Sequence, residues 1–405
     1  RRVSFSIPAR TGAIDGGTRP MVVQGTNVMK RFLILAVIGV AGFAGCAEKS
    51  FDELCPNQQM CVLKCPSGTK QRVEGLQILC TNSAGVHHGP FVVWNADGGK
   101  DMVGSNVDGK MDGPVMSWHP NGVLKLQAGF AAGKKDGLWT TWDELGNKVL
   151  EGTFAADERD GVWTAWHADG TRKGQSVYKD GLKDGIWESW HENGRKASEG
   201  RFERDLKVGM WTYYYDSGQK KSESNYVDNR ENGTVTSWYE NGNVQVSGQA
   251  AMGLREGVWK GFFEDGRPKY EKTFVKGSEN GAYREFHPGG GIAVEGTHKD
   301  GKLEGLLKFF APDGRNLLVM NYRQGKLQGR SIGYSIDGKV RIEVFYEGGV
   351  LAGAPKAWAG SGNGRWSSIP ADPETMKVLI DAMADLRALG PIAGMELVGS
   401  SEPDM

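Results

Sequence analysis

Residues 185–208 read GIWESWHENGRKASEGRFERDLKV, and residues 209–232 read GMWTYYYDSGQKKSESNYVDNREN. The two stretches are equally long, and an opening glycine, a tryptophan, a further aromatic and a second glycine stand at matching places in both. We count positions from the glycine that opens each stretch, so that Trp187 and Trp211 are at plus-two. Self-similarity at a fixed spacing of 24 residues predicts a chain built from repeated structural units.

The opening glycine recurs twelve times at this spacing without an insertion. These glycines are Gly89, Gly113, Gly137, Gly161, Gly185, Gly209, Gly233, Gly257, Gly281, Gly305, Gly329 and Gly353. A second glycine follows each of them at plus-nine, from Gly98 to Gly362. Glycine makes up 60 of 405 residues while proline, at 15, is near its ordinary share, so the excess indicates a repeated structure and not a disordered tract. We assign residues 85–362 to twelve units.

Residues that tolerate unusual backbone conformations mark two bends in each unit. Asn or Asp stands directly before the second glycine in most units, as at Asp169 and Asn193. Such pairs accept positive φ at both residues, which predicts a type I′ hairpin turn at this place. A second turn-forming residue, such as Gly181 or Asp205, stands four residues before the next opening glycine and predicts the bend that links one hairpin to the next.

Aromatic residues form three columns between the bends. The plus-two column contains Trp139, Trp163, Trp187, Trp211 and Trp259. The plus-five column is aromatic in every unit: Trp94, Trp118, Trp142, Trp166, Trp190, Tyr214, Trp238, Phe262, Phe286, Phe310, Tyr334 and Trp358. The plus-seventeen column contains Phe130, Phe154, Tyr178, Phe202, Tyr226, Phe274, Tyr322 and Tyr346.

These columns predict strands, because aromatic and β-branched residues suit a pleated surface and no stretch inside the repeats has the 3.6-residue apolar periodicity of a helix. The fold expected from them is all-β, an elongated single-layer antiparallel sheet of repeated β-hairpins. On a regular strand the plus-two and plus-five columns would face opposite sides. A bulge in each unit would instead bring both columns to one face, and the sequence leaves this choice open.

The order of glycine, tryptophan, aromatic, Asn-Gly or Asp-Gly, basic residue and aromatic resembles the bacterial variant of the MORN repeat. The resemblance covers residues 85–362. It implies a rod of β-hairpins used for association with proteins or membranes, some bacterial members being catalogued as antitoxins, and it brings no catalytic residues. Departures at plus-two lie mostly towards the ends, where we expect units to face solvent or a cap. These are Val115, Leu307, Ser331 and Pro355, with Val235 as an interior exception.

The N-terminal residues are typical of an export signal. Residues 1–28 are interpreted as an upstream extension from a misassigned start, and residues 29–46 as a lipoprotein signal peptide. Lys30 and Arg31 precede fourteen uncharged, mostly apolar residues, a stretch that suits a secretory signal but is short for a spanning helix. The residues before Cys46 resemble a lipobox, which predicts lipidation of Cys46. Ordinary cleavage after Ala47 is the alternative and would give a soluble secreted or periplasmic protein.

Four further cysteines fall in residues 47–84, which we assign to an N-terminal cap. They are Cys55, Cys61, Cys65 and Cys80. An even number in an exported chain predicts two disulfides, with three connectivities open. Zinc is the rival interpretation, but the spacing lacks a paired two-residue knuckle. The cap would protect the first edge of the sheet.

The C-terminal residues 363–405 are expected to form a capping helix and a disordered tail. Asp372 and Pro373 provide a helix start, and Gly390 followed by Pro391 provides its end. A stripe of apolar residues lies between them. We expect this helix to cover the last hairpins, with partner binding as the alternative.

The search for chemistry predicts no enzyme, no cofactor and no metal site. Lys plus Arg and Asp plus Glu are 49 each, so the chain lacks the overall basic character of a nucleic-acid-binding protein. Four histidines share the plus-six position, which is typical of one repeated surface slot: His119, His167, His191 and His287. An active site needs unlike residues that converge at one point, which repetition does not provide.

The leading functional hypothesis is a lipid-anchored envelope scaffold, an outer-membrane lipoprotein facing the periplasm or the surface, whose repeats bind a protein partner. An antitoxin or immunity-type protein that masks a toxin is the second hypothesis. A binder of glycan or peptidoglycan through rows of tryptophans is the third. Four tryptophans in the most regular units are the candidates for an exposed ligand face: Trp139, Trp163, Trp187 and Trp211.

Overall fold

The computed structural model describes residue 57 and residues 61–335, 337–360 and 366–369. In these residues thirty strands form one antiparallel sheet. The strands are β1 (Thr69–Glu74), β2 (Gln77–Asn82), β3 (His87–Trp94), β4 (Lys100–Val107), β5 (Lys110–Met111), β6 (Gly113–Trp118), β7 (Leu124–Ala131), β8 (Lys134–Trp142), β9 (Lys148–Ala155), β10 (Glu158–Trp166), β11 (Arg172–Lys179), β12 (Leu182–Trp190), β13 (Lys196–Glu203), β14 (Leu206–Tyr214), β15 (Lys220–Val227), β16 (Arg230–Trp238), β17 (Val244–Ala251), β18 (Leu254–Phe262), β19 (Pro268–Val275), β20 (Ser278–Phe286), β21 (Ile292–Lys299), β22 (Lys302–Leu303), β23 (Gly305–Phe310), β24 (Asn316–Arg323), β25 (Lys326–Leu327), β26 (Gly329–Tyr334), β27 (Val340–Glu347), β28 (Val350–Leu351), β29 (Lys356–Gly360) and β30 (Trp366–Ile369).

The sheet is a meander, because each long strand pairs antiparallel with the strands before and after it in the chain, as β12 pairs with β11 and β13. The predicted fold class is therefore confirmed: an all-β, single-layer sheet of stacked hairpins that does not close. The described residues contain no helix. The predicted C-terminal helix lies outside them, as does the predicted signal peptide with Cys46.

The bend at the Asn-Gly and Asp-Gly pairs differs from the prediction. Only the glycine has positive φ, as at Gly194 with 78°, whereas the preceding Asn193 does not. The N–H of Gly194 donates to the carbonyl of His191 at 2.9 Å, and the Asn193 side-chain oxygen accepts the N–H of Arg195 at 3.0 Å. The Asn side chain thus holds a wider turn, so the predicted type I′ turn at this place was wrong.

The type I′ conformation belongs to the other bend, the one between units. Arg204 and Asp205 are the two residues between β13 and β14, and their φ angles are 49° and 65°. Asp180 and Gly181 repeat the pattern at 49° and 80°. A two-residue turn with positive φ at both positions matches the right-handed twist of the strands it joins. This bend therefore sets the geometry of the connection between consecutive hairpins.

In the central units the opening glycine lies inside a long strand, whereas β6, β23 and β26 begin at it. Gly161 has a φ of 76°, and the pairing of β10 with β9 shifts register between Asp160 and Thr164, around this glycine. A second irregularity separates Ala165 from the plus-five Trp166 on the side of β11. A glycine within a strand typically marks a bulge, because it reaches backbone angles that other residues avoid. The eleven units opened by Gly89 to Gly329 therefore contain the kind of bulge that the sequence left open, directly before the plus-five aromatic.

The N-terminal cap extends the same sheet, since β1 pairs with β2 and β2 pairs with β3. Cys65 and Cys80 form a disulfide, which fixes one pair of the predicted framework. Cys61 is disulfide-bonded as well, and Cys55 lies outside the described residues. The buried Ile78 and Leu79 of β2 provide the apolar core of this region. The strand β3 is therefore paired on both sides, with β2 and with β4.

The plus-two residues that depart from tryptophan near the ends are not exposed. Val115, Leu307 and Ser331 are buried, at 2%, 5% and 1% exposure. Leu307 belongs to an aliphatic cluster with Leu318 and Met320. We expected these units to face solvent or a cap. Exposure to solvent was wrong for Val115, Leu307 and Ser331, because these smaller side chains occupy the buried place that an indole fills in other units.

Candidate binding groove

One face of the sheet carries a groove of about 1250 Å³ that extends from Val149 to Glu285. Residues paired across neighbouring strands lie on the same face, so the pairs Trp187 with Gly200 and Ser189 with Ser198 place plus-two, plus-four, plus-thirteen and plus-fifteen together. The plus-seventeen residue continues this series. We call this surface the groove face. The groove is bordered by the plus-two and plus-five columns, as at Trp163 and Trp166.

The plus-two tryptophans pack edge to face against the plus-seventeen aromatics of their own and the preceding unit. Ring centroids are 5.2 Å apart for Trp139 with Phe154 and 5.0 Å apart for Phe154 with Trp163. The series repeats at 5.7 Å for Trp187 with Phe202 and at 5.0 Å for Phe202 with Trp211. Each such pair contributes about 0.5–1.5 kcal/mol beyond its area burial. The rings therefore connect one unit to the next.

A glycine at plus-fifteen decides how deeply the tryptophan of the next unit is buried. A Cβ on Gly152 would lie 2.2 Å from the ring of Trp163, and a Cβ on Gly200 would lie 2.2 Å from the ring of Trp211. These indoles lie flat on the glycine backbone and are 3% and 2% exposed. The Trp211 Nε1–H donates to the carbonyl of Arg201 at 3.2 Å, which satisfies the polar atom that this burial removes from water.

In the units opened by Gly113 to Gly257, a side chain at plus-fifteen goes with a less deeply buried plus-two residue in the next unit. Ala128 precedes Trp139 and Ser176 precedes Trp187, and both of these tryptophans are half-buried. Ser224 occupies the same place before Val235, the interior unit that lacks a tryptophan. Buried tryptophans therefore alternate with half-buried or absent ones, giving the groove face a repeat of two units.

The four candidate binding tryptophans do not form one exposed surface. The structure places all of them on the groove face, but Trp163 and Trp211 are buried whereas Trp139 and Trp187 are half-buried. Whether any of them binds a ligand stays a prediction. The prediction was wrong in expecting exposed rings at Trp163 and Trp211, because a single column of identical residues does not reveal the alternation at plus-fifteen.

Basic residues two positions before the opening glycine lie over these rings, and the sequence analysis missed them. We call Lys135, Arg159, Lys183 and Lys207 the cation row. Their charged groups lie between 4.4 and 4.9 Å from the centroid of the plus-two tryptophan on the same strand. Arg255 repeats the contact with Trp259 at 4.5 Å. Cation–π contacts of this kind contribute about 0.5–2 kcal/mol.

The cation row was detectable as a periodic column of basic residues at minus-two. Each of these residues is also held through its backbone, because the bend of the next unit bonds to it. The N–H of Lys183 donates to the Asp205 carboxylate at 2.7 Å, and the N–H of Asp205 donates to the carbonyl of Lys183 at 2.9 Å. The row is therefore fixed by both ring contacts and inter-unit hydrogen bonds.

The plus-six histidines occupy one repeated slot, as the sequence predicts. His167 Nε2 lies 2.9 Å from the carbonyl oxygen of Trp190 in the next unit, and His191 Nε2 lies 3.1 Å from that of Tyr214. Tyr215 and Tyr239 use their hydroxyl groups for the same bond. These side chains connect neighbouring units and do not converge on a common ligand.

Near Glu285, at the far end of the groove, ionisable side chains cluster where aromatic rings predominate in the earlier units. Tyr283 at plus-two donates to Glu285 at 2.6 Å, Lys272 donates to Glu279 at 3.1 Å, and His298 lies 3.3 Å from Glu279. Burial raises the pKa of Tyr283 and lowers the pKa of His298. No group of three or more His, Cys, Asp or Glu side chains in the described part of the chain could hold a metal ion.

The sequence model of the MORN repeat variant family matches four segments of the chain, residues 183–203, 207–228, 231–249 and 255–276. Each match begins at a minus-two residue, so the matched unit includes the place of the cation row. A search of curated proteins finds no match to the chain. Within the described residues there is no helix that could cross a membrane.

Proposed function

We propose that this protein is an exported, lipid-anchored repeat scaffold whose groove face binds a protein partner at the cell envelope. The observation that carries the binding proposal is the groove itself, a continuous surface of about 1250 Å³ lined by aromatic rings and cations across several units. Half-buried rings such as Trp187 offer apolar area that is already held in place. Rigid aromatic side chains of this kind are preferred anchors in protein interfaces, because little conformational entropy is lost when they bind.

The envelope location is proposed from the sequence of residues 29–46 and from the cysteine use of the cap. The Cys65–Cys80 disulfide supports it, because disulfides persist in oxidising compartments. Mass spectrometry of the mature N-terminus tests the anchor directly. An acylated Cys46 is the expected result, whereas a chain that begins after Ala47 without lipid would exclude the anchored form.

Site-specific crosslinking tests whether the groove face is the binding surface. Val235 is a suitable position for p-benzoylphenylalanine, because it occupies a plus-two place that accepts tryptophan in other units. Thr234 is the matched control, since it is the exposed neighbour on the same strand. We expect a discrete crosslinked partner from position 235 in intact cells and none from position 234. Equal products at both positions, or none at position 235, would contradict the proposal.

The proposal favours a protein over a glycan. A sugar stacks on a free ring face, whereas Lys183 lies 4.4 Å from the centroid of Trp187 and Lys135 lies 4.9 Å from that of Trp139. Retention of the purified protein on peptidoglycan at micromolar concentration would support the glycan alternative instead. An antitoxin role would be supported by a stoichiometric toxin among the crosslinked products.

A further inference from the structure

A buried carboxylate borders the far end of the groove. Glu285 occupies the plus-four position, and in the other eleven units this position holds an uncharged residue. Its side chain is on the groove face, because it is two residues from Tyr283 on the same strand and opposite Tyr270 in the register. Glu285 is 7% exposed and is the last residue of the groove lining. The plus-four column therefore departs from its pattern at a place that the groove reaches.

Only one of the two oxygens of this carboxylate is satisfied. The Tyr283 hydroxyl donates to Oε1 of Glu285 at 2.6 Å. Oε2 is buried and has no hydrogen-bond partner in the part of the chain that the structure describes. A buried polar atom without a partner is costly and rare in folded proteins, and a charged one more so. The site therefore calls for a donor that the described residues do not supply.

The cations that line this end of the groove are engaged elsewhere. Lys272 donates to Glu279 at 3.1 Å, so these two charges compensate each other. Arg255 and Lys269 lie over aromatic rings, 4.5 and 5.9 Å from the ring centroids. Among the described residues none of these three cations comes within 4.0 Å of a carboxylate oxygen of Glu285. The negative charge of Glu285 is thus left for a group that enters the groove.

A second buried carboxylate of the sheet shows which group completes such a site. Glu343 is 8% exposed, and the guanidinium of Arg330 donates two hydrogen bonds to it, one of them at 2.7 Å. A guanidinium is planar, matches carboxylate geometry and is more weakly hydrated than an ammonium. Tyr270, opposite Glu285 in the register, adds an aromatic ring on which a guanidinium stacks favourably. Arginine is therefore the side chain whose chemistry fits this end of the groove.

We infer that the far end of the groove is a specificity site for an arginine side chain of the partner, whose guanidinium donates to Oε2 of Glu285. The arginine brings the charge that the carboxylate lacks, whereas a neutral or acidic side chain would leave the buried oxygen uncompensated. The rest of the partner segment lies along the groove. The inference rests on the proposed function and adds to it a residue type that the partner must carry.

Peptide binding to the purified full chain tests the inference. The probe is a labelled, N-acetylated peptide of about ten residues, made of Ser, Thr and Val with one Arg and one Trp. The comparison peptide carries citrulline in place of Arg, which keeps the shape of the side chain and removes its charge. We expect the Arg peptide to bind at least tenfold more tightly. Equal binding of the two peptides, or no binding of the Arg peptide at millimolar concentration, would overturn the inference.

Two carboxylate variants identify the contact. Glu285→Gln removes the charge, keeps an oxygen for the Tyr283 hydroxyl and should abolish the preference for arginine over citrulline. Glu192→Gln is the matched control, since it removes a carboxylate from an exposed place in the lining of the same groove, and it should leave the preference unchanged. The Glu285→Gln chain should unfold at the same or a higher denaturant midpoint, because a buried charge is removed. A preference that survives Glu285→Gln, or that both variants lose equally, would contradict the site.

The remaining outcomes separate this inference from the proposed function. A partner crosslinked through position 235 whose capture is unchanged by Glu285→Gln would leave the scaffold proposal standing and overturn the arginine site. Binding of free arginine as tightly as the Arg peptide would also overturn it and indicate a site for a small cation instead. Failure of crosslinking at position 235 together with arginine preference that depends on Glu285 would contradict the scaffold proposal alone.

Discussion

At the scale of single residues, the difference between glycine and serine at plus-fifteen controls the depth of an indole ring one unit away. Gly200 carries Trp211 flat on its backbone, whereas Ser176 leaves Trp187 half-buried. The plus-fifteen column can be read from the sequence. Its effect on burial depends on which side chain of the neighbouring unit lies over it. Only strand pairing supplies that contact, so the column could not be recognised from periodicity alone.

Gly200→Ala should destabilise the protein by about 1–3 kcal/mol, because the new Cβ would lie 2.2 Å from the Trp211 ring and the close-packed indole must move. Chemical denaturation followed by tryptophan fluorescence measures the change. Ser176→Ala is the control, since that place already holds a Cβ, and it should shift the midpoint little. A Gly200→Ala midpoint equal to that of Ser176→Ala would show that Trp211 does not depend on the glycine.

At the scale of elements, the two bends of each hairpin have different structural roles. The bend at Asn193 reaches the next unit, because its side-chain N–H donates to the carbonyl of Asp216 at 2.6 Å. Asp169 occupies the same place in the preceding unit and has no amide to donate. The sequence correctly located both bends but assigned the type I′ turn to the wrong one, because an Asn side chain can replace positive φ by a hydrogen bond to the backbone.

Asn193→Asp should lower stability by about 0.5–1.5 kcal/mol, the usual net contribution of one hydrogen bond. The exchange keeps the oxygen that accepts the N–H of Arg195, removes the donor to the next unit and adds a negative charge at the bend. Asp169→Asn is the reciprocal variant and should raise stability by restoring that donor. Unfolding midpoints of the two variants that move in the same direction would contradict this account of the bend.

The cap offers a second prediction at this scale. Cys65 and Cys80 close a loop with a sequence separation of 15, for which the chain-entropy estimate is about 3 kcal/mol. The double variant Cys65→Ser and Cys80→Ser should therefore open β1 and β2 more readily. Limited proteolysis in this region should accelerate, while cleavage in the central units should not. Unchanged proteolysis of the cap would mean that its packing around Ile78 is sufficient without the bond.

At the scale of the whole molecule, burial of tyrosines couples stability to alkaline pH. Desolvation raises the pKa of Tyr214 to about 12, and it raises the pKa values of five further tyrosines: Tyr215, Tyr239, Tyr270, Tyr283 and Tyr346. A hydrogen bond to Glu199 adds to the effect at Tyr214. Because the folded pKa exceeds the unfolded value near 10, the stabilisation is complete below pH 10 and is lost as pH rises towards 12.

We therefore expect the denaturation midpoint to fall steadily between pH 10 and pH 12. Ultraviolet absorbance of phenolate should show these tyrosines ionising at higher pH in the folded protein than in denaturant. Tyr214→Phe should reduce the slope of stability against pH, because it removes one such group. Coincident titration of the folded and denatured chains would contradict the prediction.

The sequence by itself determined the 24-residue unit, the strands, the aromatic columns and the fold class, because spacing of glycine and of ring side chains constrains local structure directly. The tertiary structure decided which tryptophans are buried, which bend takes the type I′ turn and which cations gather on the groove face. These features depend on contacts between units, such as Gly200 with Trp211 and Lys183 with Phe202, which strand register brings together. A neutral composition with 49 residues of each sign did not show which charged side chains share a face, because a sheet sorts side chains to two faces only once it has formed.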